Sequence, residues 1–151
     1  MSKVLTRQAI LAAAKAHDVE PAALQAVITV ETGGRGGFLP NGWCKILFER
    51  HWLWKRLSME GRNVDPRRLA GQRPDLCGRR WDPKRYPYGG ELYQWDRVAG
   101  VITWGQRSDP ERWESYKKAA YESCSWELFQ IMGYHYGELG YANVYDFKHA
   151  Q

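Results

Sequence analysis

Residues 21–30 are apolar except for Gln25 and Thr29, a pattern that predicts a helix buried nearly all round. Pro21 suits its first turn, and Gly33 offers the left-handed residue that ends one. Glu31 then falls in the last turn, on the face of Leu24, Val27 and Ile28. Upstream, Thr6 is placed to cap a first helix running to about His17, with Ile10, Leu11 and Ala14 on one side. Residues 32–43 read as a glycine-rich loop. Residues 44–49 read as a short strand or extended segment, or else the start of a buried helix, and residues 51–57 as a helix. Residues 58–90, rich in Gly, Pro and Arg, are predicted as one long loop, a type that is usually functional or mobile. Helical spacing resumes through Leu92, Trp95, Val98 and Ile102. The Asp109-Pro110-Glu111 run predicts a helix start that carries the chain to about Cys124. A short helix over residues 126–132, stopped by Gly133, and a last one over residues 143–149 complete the pattern. The expected fold class is mainly α, with at most a small β element.

Composition narrows the partners. A chain of 151 residues suits one domain with a real core, and its formal net charge of +5 suits a polyanion: nucleic acid, an anionic membrane face or bacterial cell wall. Eight Trp and nine Tyr either fill a core or line a groove for sugars or bases. Three widely spaced cysteines, with no C-x-x-C, argue against a disulfide framework or zinc knuckle and for synthesis in a reducing compartment. No basic-then-apolar signal peptide opens the chain, and no apolar run approaches the roughly 20 residues of a membrane span.

Glu31 is the leading candidate for chemistry. Desolvation and the negative end of the helix dipole would both favour its neutral form, the state a general acid in glycoside cleavage needs. The alternative is a helix-end carboxylate that simply reaches solvent. A metal site would draw on Glu49, His51, His135 and the cysteines, but no H-x-x-x-H or H-E-x-x-H spacing occurs, so neither metal nor cofactor is expected. No G-x-S-x-G elbow supports a serine nucleophile. Arg62, Arg67, Arg68, Arg73, Arg79, Arg80, Lys84 and Arg85, interleaved with aromatics, suggest nucleic acid, yet Asp65, Asp75 and Asp82 dilute them, and a solvated loop without a nucleic-acid partner is the better expectation.

Three motifs occur in order: Ala26-Val-Ile-Thr-Val-Glu31-Thr-Gly-Gly, Ile46-Leu-Phe-Glu49-Arg-His51 and Ser125-Trp-Glu-Leu-Phe-Gln130-Ile-Met-Gly133. They resemble the A-V-x-x-V-E-[ST]-x-G, I-L-F-E-R-H and S-W-G-x-F-Q-I-M-G of the N-acetylmuramidase domain of phage endolysins, over about residues 11–147. The arrangement is also similar to goose-type lysozymes and soluble lytic transglycosylases. The resemblance implies a lysozyme-like helical fold and cleavage of peptidoglycan glycan strands between N-acetylmuramic acid and N-acetylglucosamine. Its alternatives are a lytic transglycosylase giving 1,6-anhydro products and a catalytically impaired wall-binding relative. Glu31 matches the family's general acid. Glu49 and His51 match F-E-R-H, either in the cleft or as a structural contact of Glu49 with Arg50 or His51. Gln130 would hydrogen-bond substrate or the loop bearing Glu31, Ser125 would meet substrate, and Tyr88 and Tyr141 would stack on sugars or serve packing. The implied setting is a monomer made in the host cytoplasm, released by a holin-type pore to the periplasmic wall without stable membrane insertion.

Two departures stand out. Position 127 is Glu where the family has Gly, so its side chain would obstruct a close backbone approach or add a carboxylate near the acid. Family members also continue with further helices beyond the point matching Phe147, so the single muramidase domain over residues 1–151 is expected to have its C-terminal helices absent or shortened.

Overall fold

Thr6 begins the first helix as its spacing requires: Oγ1 accepts a hydrogen bond from the Ala9 N–H at 3.2 Å, and α1 runs Arg7–Ala16. The computed structural model describes residues 6–32, 36–85, 90–127 and 129–151. The chain forms two compact units, Met1–Lys45 with Trp126–Gln130, and Ile46–Ser125 with Ile131–Gln151.

In the first unit, Ile10 and Ala14 of α1 are buried, while Leu11 is exposed. Asp18, left-handed at φ 51°, turns the chain toward α2 (Pro21–Thr32), and the Val19 N–H closes back on the Ala14 carbonyl at 3.0 Å. The two helices pack on each other. The expected all-round burial of α2 is overturned. Ile28 alone is buried among its described side chains, Leu24 is half-buried, and Val30 is 77 % exposed. A continuous apolar run fixes helical type and not coverage: one ten-residue partner helix covers one stripe. The expected glycine stop at Gly33 lies outside the described residues. Beyond it, Phe38 and Cys44 pair in an antiparallel bridge.

β1 (Ile46–Phe48), β2 (Cys124–Trp126) and β3 (Ile131–Met132) form a sheet in the order β1-β2-β3, all of it but Trp126 in the second unit. α3 (Arg50–Leu57) buries Leu53 and Leu57. The long loop expected over residues 58–90 is interrupted by α4 (Pro66–Gln72), whose N-cap Asp65 accepts from the Arg67 N–H at 2.9 Å with Pro66 in the first turn. α5 (Gly90–Ser108) extends six residues past Ile102, the last position of the apolar spacing that predicts it. α6 (Trp113–Glu122) starts later than Asp109, whose carboxylate instead meets Arg112 at 3.2 Å and the Tyr116 hydroxyl at 3.3 Å.

The helix expected over residues 126–132 is absent. Glu127 and Gln130 take φ of 53° and 50°, left-handed values that break a helix and let β2 turn into β3. A 3-10 turn (Gly133–Tyr136) follows, and α7 (Val144–Ala150) is capped by Asn143 Oδ1, which accepts from Tyr145 and Asp146 N–H groups at 2.9 Å each. The core of this unit gathers Phe48, Leu53, Leu69, Val101, Tyr116 and Val144 where α5 packs on α6 and β1. Gly105 permits that approach, since a Cβ there would sit 3.0 Å from the Tyr116 side chain. No described helix is long and apolar enough to cross a membrane.

Candidate functional site

β1 is fixed from α5 by two nearly buried polar side chains. Gln94 Oε1 accepts from the Phe48 N–H at 3.2 Å, and Arg97 donates to the Phe48 carbonyl at 3.3 Å and the Asp75 carbonyl at 2.7 Å. The Arg97 guanidinium also lies 4.9 Å from the Phe48 ring centroid. These contacts set the point at which β1 ends and α3 begins. Glu49 occupies that point, held by its N–H donating to the Ser123 carbonyl at 3.0 Å. As N-cap of α3 it makes no side-chain cap; its Oε2 lies 3.3 Å from His51 Nδ1. The side chains of Glu49 and His51 are 15 % and 18 % exposed, so the pair is largely screened from water. Burial first, then the cations of Lys55 and Arg50, hold the His51 imidazole below its ordinary 6.5, which favours the neutral ring near neutrality.

Arg50, between them, points elsewhere. It donates to the Arg80 carbonyl at 3.1 Å and the Cys77 carbonyl at 3.4 Å. Its guanidinium occupies the space a side chain at Gly78 would take, for a Cβ there would lie 1.6 Å from Nη2. The F-E-R-H segment thus combines a Glu–His contact with an arginine that ties down residues 77–80. Next to His51, the Trp52 ring packs on Tyr134 at 4.7 Å, with Lys55 Nζ 4.0 Å from its centroid.

Glu31 stands in the last turn of α2, as the spacing requires, but it is exposed and Val27 beside it is 48 % exposed. The expected greasy surround is therefore corrected, and the case for Glu31 rests on its motif and helix-end position. Glu127 belongs to the same unit and its N–H donates to the Lys45 carbonyl at 2.9 Å. Its left-handed backbone gives a direct reason for glycine at this place in the resembling motif: the conformation favours a residue without Cβ. Gln130 is exposed and donates Nε2 to the Glu127 carbonyl at 2.8 Å, bracing this turn. Ser125 is buried on β2. Tyr141 is half-buried and packs edge-on against Phe147 with centroids 5.5 Å apart. Tyr88 lies outside the described residues. Of the candidate residues, Glu49 and His51 are brought into contact.

The sequence reading missed one buried cluster. Glu122, fully buried at the end of α6, accepts through Oε2 from Arg56 at 2.9 Å and from Arg62. Partners 66 and 60 residues apart leave no local signal. Among the described residues, no group of three or more His, Cys, Asp or Glu could hold a metal ion.

Among the described residues, seven helices and a small three-stranded sheet make the fold mainly helical and of lysozyme-like endolysin type. A family model described as N-acetylmuramidase matches residues 20–151, and the chain belongs to that family. Among solved structures it is similar to the endolysin of Burkholderia AP3 phage, at 33 % identity and a TM-score of 0.77, over 99 % of this chain and 50 % of that one. The chain thus spans about half the length of that endolysin. No curated protein matches it.

Proposed function

We propose that this chain cleaves the glycan strands of peptidoglycan as an N-acetylmuramidase, at the β-1,4 bond between N-acetylmuramic acid and N-acetylglucosamine. The family match over residues 20–151 carries this reading, because that span includes all three motifs, and Glu31 stands in the last turn of α2, where the resemblance puts the general acid. Glu31 protonates the glycosidic oxygen as positive charge grows on the muramic acid ring. Glu49, braced by His51, is the second carboxylate, acting as nucleophile, as base for water, or as a charge that balances the transition state. Gln130 and Ser125 are proposed to meet substrate, Ser125 through its strand. Tyr141 is a weaker sugar contact given its place against Phe147. The setting proposed is that of a phage endolysin: a monomer that reaches the host wall through a holin-type pore and lyses the cell, hence antimicrobial when added to stripped cells.

Mass spectrometry of digested peptidoglycan tests this. Reducing muramic ends, lost in Glu31→Gln, are expected. A 1,6-anhydro end would make the enzyme a lytic transglycosylase. Equal activity in the wild type and Glu31→Gln refutes the acid. Activity in neither leaves a wall-binding relative.

A further inference from the structure

Trp54 follows His51 by one turn of α3, about 4.5 Å along the helix. It lines an open depression of ≈ 680 Å³ within the second unit, together with Asn63, Asp65, Pro66, Arg67 and Arg79. That volume lies in the range of small-ligand sites. The site is charged with both signs. Arg67 Nε donates to both Asp65 oxygens at 3.0 Å, yet Asp65 stays 52 % exposed. Arg79 is exposed and, among the described residues, has no ion pair. Its backbone is not free to drift, because Arg50 grips the carbonyls of Cys77 and Arg80 on either side. An exposed cation on a tethered backbone, an accessible carboxylate and a half-buried indole therefore share one hollow.

We infer that this depression receives the peptide branch of peptidoglycan, with Arg79 pairing a branch carboxylate, Asp65 facing the ammonium of its diamino acid, and Trp54 covering the aliphatic chain between them. The inference rests on the proposed muramidase reading for its choice of polymer. The sugars of the strand are neutral, so its charges of both signs lie on the peptide. A nucleic acid would find Asp65 opposing its phosphates, and a bare glycan would use neither charge.

Titration of the folded protein with an alanyl-γ-glutamyl-diaminopimelyl-alanine tetrapeptide, followed by NMR, tests the site without any cleavage step. Saturable shifts are expected at residues around Trp54. Arg79→Glu should weaken binding at least tenfold, Arg79→Lys should restore part of it, and Asp65→Asn should abolish the preference over the peptide acetylated on its diaminopimelyl side-chain amine. Far-UV circular dichroism checks that each variant stays folded. No saturable binding by the wild type, equal binding by Arg79→Glu, or displacement by an N-acetylglucosamine tetramer would overturn the assignment. Peptide binding without glycan cleavage would sink the muramidase reading alone, and cleavage without peptide binding would sink this one alone.

Discussion

Removing the charge of Glu122 should destabilise the protein far more than a surface substitution. The carboxylate is fully buried, and the side chains of Arg56 and Arg62 are 17 % and 11 % exposed. Both guanidinium groups address Oε2, and Oε1 has no hydrogen-bond partner among the described residues. In Glu122→Gln the acceptor survives and the charge does not, so two poorly solvated cations face each other. Breaking such a buried cluster from one side costs about 3–5 kcal/mol. With a urea slope of about 2 kcal/mol per molar, the unfolding midpoint should drop by about 1.5–2.5 M. Replacing all three residues together (Arg56→Met, Arg62→Met, Glu122→Leu) should recover most of that loss, because no buried charge is left uncompensated. Urea unfolding followed by far-UV circular dichroism measures both. A midpoint shift below about 0.5 M for Glu122→Gln, the scale of an exposed pair, would refute the reasoning.

At position 127, glycine should relieve a left-handed backbone at φ 53° and raise the melting temperature by about 1–4 °C in calorimetry, while Glu127→Ala should not; an unchanged or lower value for the glycine variant would contradict this. His51, held below 6.5, should titrate by NMR below that value. Since the unfolded chain binds the proton more readily, the stability it contributes is complete above about pH 6.5 and is lost as pH falls through the folded value, a slope that His51→Gln should flatten. Burial pushes the Cys77 thiol up to about 12, and Cys44 and Cys124 are buried too, so a thiol reagent at pH 8 should label them only after denaturation.

Helix type was legible where a cap and a period coincided, as at Thr6. Asp65-Pro66 carries the same start signal as Asp109-Pro110, yet the surrounding Gly and Arg residues masked α4, and at Asp109 the signal was diverted to Arg112 and Tyr116. The turn between β2 and β3 was misread because Trp126, Phe129 and Met132 fall at helical spacing, whereas backbone sign at Glu127 and Gln130 decided the outcome. The chemistry-bearing motifs could be placed from sequence, and the Glu49–His51 contact was one of two pairings left open. Burial at Glu31 could not be, because it depends on what covers α2 rather than on the composition of α2 itself.

Arg50 shows how a motif residue can serve a site without entering it, and a double-mutant cycle exposes this. The Cβ of Gly78→Ala would collide with the far end of Arg50, a flexible group that can move aside only by giving up its bonds to Cys77 and Arg80. The cost of Gly78→Ala should therefore be that of charge-assisted hydrogen bonds, about 1.5–3 kcal/mol, rather than of a backbone clash. In an Arg50→Ala background those bonds are already gone and the space is open, so the same substitution should cost almost nothing. The two changes should couple by about 1–3 kcal/mol in urea unfolding. Additive effects would mean that Gly78 is required by its own backbone, and that Arg50 does not hold residues 77–80 in place.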